Sequence, residues 1–216
     1  MVNYNVRIDN AKIINTLMDN LCTCTKEQIA ELIKKQLRRS RASVSFDEAL
    51  LLRIINREKR KGMYRTEDFL NGKDFIISPY GEAGNLAIIP CFWVLQDMFK
   101  DEYISLSDVF RGKNPETMSY STENITYSFY YMTEDTLGIM PKSIERAKVY
   151  TSINEKTRNG KYHLINVYVT DSIEIADTLS EVTKEIPCQI AVIKTDKSPY
   201  EKPTQIAYIA NGKRVK

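Results

Sequence analysis

Apolar residues recur at three- and four-residue spacing through the opening third of the chain, the period of helices buried along one side. Ile13, Ile14, Leu17, Met18 and Leu21 form one such stripe, which predicts a helix from a cap at Asp9 or Asn10 to about Asn20. Thr25 opens a second helix, with Gln28 in the capping-box position and Ile29, Leu32 and Ile33 turned inward. Ser45 caps a third, with Glu48 as its box partner. Phe46, Leu50, Leu51, Ile54 and Ile55 face the other two helices, and Gly62 closes this one after about Lys61.

The pattern then changes. Met63 to Thr66 and Phe75 to Ser78 read as strands around Asn71-Gly72, a strong hairpin signal, and Pro79-Tyr80-Gly81 closes the segment. Three helices followed by a hairpin is the order of a winged helix-turn-helix. Further on, Pro90 opens a helix carrying Phe92, Trp93, Leu95 and Phe99. Two strands lie between Met118 and Tyr131, on either side of Ser121-Thr122-Glu123. Residues 142–158 fit a helix over 143–156 or a strand over 147–153 equally well. Tyr162–Val169 reads as a strand, Ile173–Ile186 as a helix, and Gln189–Lys194 and Gln205–Ala210 as strands. The expected class is therefore α+β. A winged helix-turn-helix occupies residues 1–80, and a mixed α/β domain occupies residues 81–216.

Charge sharpens this division. The chain carries 31 Lys and Arg against 28 Asp and Glu, a formal +3. Residues 1–65 hold 14 basic against 7 acidic residues, or +7, which leaves −4 for the remainder. A basic module joined to a mildly acidic one points to a polyanion met by the first alone.

The third helix is where that polyanion would bind. Arg53, Asn56, Arg57 and Arg60 stand at i, i+3, i+4 and i+7, one face turned away from the apolar stripe. Arginine grips guanine bidentately and asparagine reads adenine, so these residue types suit the major groove of double-stranded DNA. A solvated face usually mixes acids with bases, and here Glu58 is the only acid in the last three turns. Lys61 extends the basic face. Arg38, Arg39 and Arg41 lie in a basic run before the helix, Ser43 and Ser45 stand at its N-terminus, and Lys73 lies at the wing tip. These are the expected phosphate contacts, which set affinity and salt dependence more than sequence preference.

The stretch from Ile54 to Arg65, Ile-Ile-Asn-Arg-Glu-Lys-Arg-Lys-Gly-Met-Tyr-Arg, looks like the recognition helix and first wing strand of winged-helix proteins. The whole layout resembles the replication-relaxation-like accessory proteins of bacterial plasmids and conjugative elements. In that family a winged helix precedes a small domain similar to the restriction-endonuclease fold. The resemblance implies an accessory or regulatory DNA-binding role in plasmid transfer or replication. A protein-binding inhibitor or adaptor built on a winged helix is the alternative, and a metal-dependent nuclease is a second.

The residues argue against several chemistries. A nuclease of the restriction-endonuclease type needs an acid at one strand end and a second acid two residues before a lysine on the next strand. Asp171 follows a strand, but Gln189–Lys194 contains no acid, and Asp196-Lys197 and Glu201-Lys202 have the wrong spacing. No Gly-rich phosphate loop is present, and the single histidine, His163, has no evident nucleophile beside it. Cys22, Cys24, Cys91 and Cys188 do not follow zinc spacing and read as free thiols of a reducing cytoplasm. No cofactor and no metal are expected. No apolar run is long enough to span a bilayer, and the first residues lack the pattern of a signal peptide. Paired half-sites make a homodimer the expected assembly, with the C-terminal domain free to contact itself or a second protein.

Overall fold

No glycine or proline interrupts the chain between Tyr4 and Leu21, and the first helix, α1, spans that whole distance rather than starting at Asp9 or Asn10. The structure is a computed structural model that describes residues 4–39, 48–62, 64–70, 74–79, 85–113, 116–157, 163–210 and 213–215. Helix α1 ends at Cys22, a non-glycine residue at φ 64° whose amide donates to the Leu17 and Met18 carbonyls at 3.3 and 3.2 Å. A left-handed residue in this place closes a helix by satisfying its last carbonyls.

A two-residue strand, β1 (Cys24–Thr25), precedes α2 (Lys26–Arg39). The capping box is formed in both directions. The Thr25 amide donates to Gln28 Oε1 at 3.0 Å, and the Gln28 amide donates to Thr25 Oγ1 at 3.1 Å. Helix α3 (Glu48–Arg60) ends at Gly62, whose φ of +74° favours glycine and whose amide donates to the Lys59 carbonyl. Strands β2 (Tyr64–Leu70) and β3 (Asp74–Pro79) pair antiparallel, and β1 adds to the other edge of β3, giving the order β1-β3-β2. Ile14, Leu17, Leu21, Ile29, Ile33, Leu51, Ile55 and Ile77 fill the core between helices and sheet. The predicted turn Asn71-Gly72 lies outside the described residues.

The chain divides into two units, Met1–Leu86 and Ala87–Lys216. The second unit begins with α4 (Ile88–Met98), buried at every position from Ile88 to Leu95. A helix that is apolar on all sides belongs inside a protein. Pro90 lies in its first turn, where a missing amide costs nothing. The strands β4 (Val109–Arg111), β5 (Met118–Ser121) and β6 (Ile125–Tyr131) form an antiparallel meander. Helix α5 (Met140–Thr157) then crosses to β7 (His163–Thr170), parallel to β6. Helix α6 (Ile173–Val182) crosses to β8 (Cys188–Lys194), parallel to β7, and β9 (Gln205–Ala210) and β10 (Lys213–Val215) finish the sheet antiparallel. The result is a mixed α+β structure with a seven-stranded sheet, order β10-β9-β8-β7-β6-β5-β4.

Alternation along the strands distributes side chains to two faces. Tyr130, Tyr168, Ile190 and Ile209 meet Ala147 of α5 and Ile175, Ala176 and Leu179 of α6. On the other face α4 packs over β6 and β7, and the Tyr208 hydroxyl donates to Asp97 of α4 at 2.7 Å. Phe99 makes edge contacts with Tyr120 and Tyr127 at 5.1 and 5.3 Å, so part of the tyrosine richness is aromatic packing. Beneath α5 the Tyr168 hydroxyl, fully buried, lies 2.8 Å from Ser143 Oγ and accepts from Asn166 Nδ2 at 3.0 Å. This network ties α5 to the centre of the sheet.

Two further helical readings are decided in the second unit. In the stretch that is ambiguous in sequence, residues 142–157 are helical because parallel neighbours need a crossover connection. The helix from Ile173 stops at Val182, four residues short of the expected Ile186. Thr183 accounts for this: its amide and hydroxyl both donate to the Leu179 carbonyl, and the chain turns to bury Ile186 while Val182 stays exposed.

Candidate nucleic-acid interface

The period of α3 separates its residues cleanly. Leu51, Ile54 and Ile55 are buried, while Arg53, Asn56, Arg57 and Arg60 are exposed together on the opposite side. The four outward residues share one face because they recur at helical spacing. Lys59 leaves this face and donates to Thr66 Oγ1 of β2 at 2.8 Å, fastening the helix to the strand that follows it. At the other end, Lys26 of α2 pairs with Glu48 of α3 at 3.1 Å. The Nε of Arg65 donates to Ser78 Oγ at 3.4 Å across the β2–β3 pair. The helix is thus held at both ends by its own unit.

Glu58 is the finding that the sequence did not anticipate. Its side chain is 1% exposed and lies on the apolar stripe, at the helical period of Leu51, Ile54 and Ile55. Arg57 Nε donates to Glu58 Oε1 at 2.9 Å, and Lys61 Nζ reaches both carboxylate oxygens at 3.0 and 2.9 Å. The one acid of the late turns therefore does not dilute the basic face from outside. It sits beneath that face and holds two of its cations. A signal was available: an acid in phase with the buried residues, with basic residues at i−1 and i+3.

Burial raises the Glu58 pKa, but the hydrogen bonds and charges of Lys61 and Arg57 outweigh it and hold the carboxyl below its ordinary value of 4.5. A carboxyl depressed in the folded state stabilises the fold fully above its unfolded pKa, and that stabilisation fades as pH falls through the folded value. The expected result is that α3 amides lose hydrogen-exchange protection as pH drops below about 4.5. In Glu58→Gln this dependence flattens. An equally steep acid loss in the variant would refute the assignment to Glu58.

The remaining candidates fall elsewhere. Arg60 Nε donates to the Asn56 carbonyl at 3.3 Å and is exposed. Arg38 and Arg39 occupy the last two positions of α2, and their side chains lie outside the description. Arg41, Ser43, Ser45 and Lys73 lie outside the described residues altogether. In the second unit, Asp171 is exposed directly after β7, and His163 is exposed at the start of that strand. Among the described residues, no group of three or more His, Cys, Asp or Glu side chains is placed to hold a metal ion. Phe92 and Trp93 are buried core residues, and none of the four cysteines forms a disulfide among the described residues. Among the described residues, no helix is long and apolar enough to cross a membrane. No protein-family model matches the chain, and no curated protein matches it.

Proposed function

We propose that the first unit is a winged helix-turn-helix that binds duplex DNA with α3 in the major groove. The protein would act as an accessory or regulatory DNA-binding factor of the kind found on plasmids, conjugative elements or phages. One observation carries the reading: three arginines and an asparagine are exposed together on one face of α3. The element order α1-β1-α2-α3-β2-β3 supports the winged-helix assignment, because it places a β-hairpin immediately after the candidate recognition helix. Titration of duplex DNA at two salt concentrations tests the reading. Submicromolar binding that weakens steeply with salt is expected. Absence of binding at low salt overturns it.

For the second unit we propose a restriction-endonuclease-like fold used as a scaffold, not as a nuclease. The run α4-β4-β5-β6-α5-β7 supports the fold, with one helix on one face of a mixed sheet and the crossover helix on the other. Strands β5 and β6, Met118–Ser121 and Ile125–Tyr131, carry neither an acid nor a lysine, which speaks against a catalytic pair there. Self-association is the role assigned to this unit, supported by exposed Tyr103 and by Phe110 on the edge strand β4. Sedimentation of the free protein is expected to give a dimer mass, and a monomer at micromolar concentration removes that role.

A further inference from the structure

Arg57 is anchored in a way that its outward neighbours are not. Its Nε is engaged by Glu58, a carboxylate that is itself 1% exposed, while the arginine side chain remains 48% exposed. A guanidinium is planar, so a hydrogen bond at Nε restricts its plane and leaves the two terminal nitrogens to act as a fork. Arg60 is held only by a backbone carbonyl of its own helix at 3.3 Å, in exposed surroundings. Among the described residues, no other outward side chain of α3 is paired with a buried carboxylate.

Building on the DNA-binding reading, we infer that Arg57 is the guanine-reading residue of α3 and that buried Glu58 is its positioning residue. The terminal fork matches O6 and N7 of guanine in the major groove. A pre-oriented fork loses less side-chain freedom on binding than a free one, so anchoring favours a single base geometry over a loose phosphate contact. Lys61 supplies the second cation that a buried carboxylate needs, at 2.9 Å, and so keeps Glu58 ionised while Arg57 faces outward. Arg53, one turn earlier, and the adjacent Asn56 complete the face.

The test is selection of bound duplexes from a random pool by the full-length protein, wild type and three variants. Wild type is expected to enrich a site with guanine preferred by about tenfold at one position. Arg57→Lys keeps the charge and the exposure but loses the fork. It is expected to retain affinity and lose the guanine preference at that position alone. Arg57→Ala is expected to lose both. Glu58→Gln removes a negative charge beneath the interface, so non-specific affinity is expected to rise while the guanine preference falls. A misfolded variant would lose both quantities together, so opposite shifts identify positioning. If wild type selects a site and Arg57→Lys leaves its base preferences unchanged, this inference fails and the DNA-binding reading stands. If wild type binds no duplex, both fall.

Discussion

Replacing Arg53, Arg57 and Arg60 together with alanine is expected to weaken duplex binding at least about a hundredfold, because a single well-placed arginine contact is worth roughly 1–3 kcal/mol. The three side chains are exposed on one face of α3, and the residues that hold the helix in its unit are others. Leu51, Ile54 and Ile55 pack inward, and Lys59 reaches Thr66. The variant should therefore fold, with a far-ultraviolet spectrum like that of wild type. The salt dependence of the residual binding is informative as well. Its slope should fall by about one unit for each arginine that faced a phosphate. Arg57 is already paired with Glu58, so its removal leaves the buried carboxylate with Lys61 alone. Part of any stability loss will come from that site. An affinity unchanged in the triple variant would show that the arginines form a solvated face and that any nucleic acid binds elsewhere.

Phe129→Ala is expected to destabilise the second unit by about 3–5 kcal/mol, the range for emptying a buried aromatic site. Phe129 is fully buried in β6, which is bracketed by β5 and β7 and lies under α4. Neighbours fixed by strand pairing on both sides cannot collapse into the space. Phe110→Ala is the matched control. Phe110 is 47% exposed on the edge strand β4, and its truncation should change stability by no more than about 0.5 kcal/mol. Trp93, the only tryptophan, is buried in α4, so its fluorescence follows unfolding of this unit in urea. Equal midpoints for the two variants would overturn the assignment of β6 to the centre of the core.

Much of the first unit was legible in the residues. Helical spacing located α2 and α3, the Thr25–Gln28 capping box forms as its spacing requires, and Gly62 closes α3 in the left-handed region. These are local matters, settled by side chains within four positions of each other. The same logic placed Arg53, Asn56, Arg57 and Arg60 on one exposed face. The short strands β1, β4 and β10 were missed. Two or three residues carry no alternation, and each is completed by a partner strand: Ile77, far along the chain, for Cys24, and the neighbouring strands β5 and β9 for β4 and β10.

Chain order and period thus determined the helices of the first unit, where two of them are capped, and which cations share a face. Tertiary packing decided the rest. It made residues 140–157 a helix, because β6 and β7 run parallel and need a crossover. It also turned Glu58 from a diluting surface charge into a buried anchor for Arg57 and Lys61. A charged residue in phase with an apolar stripe acquires its role only when folding covers it and sets cations against it, as Arg57 and Lys61 are set against Glu58.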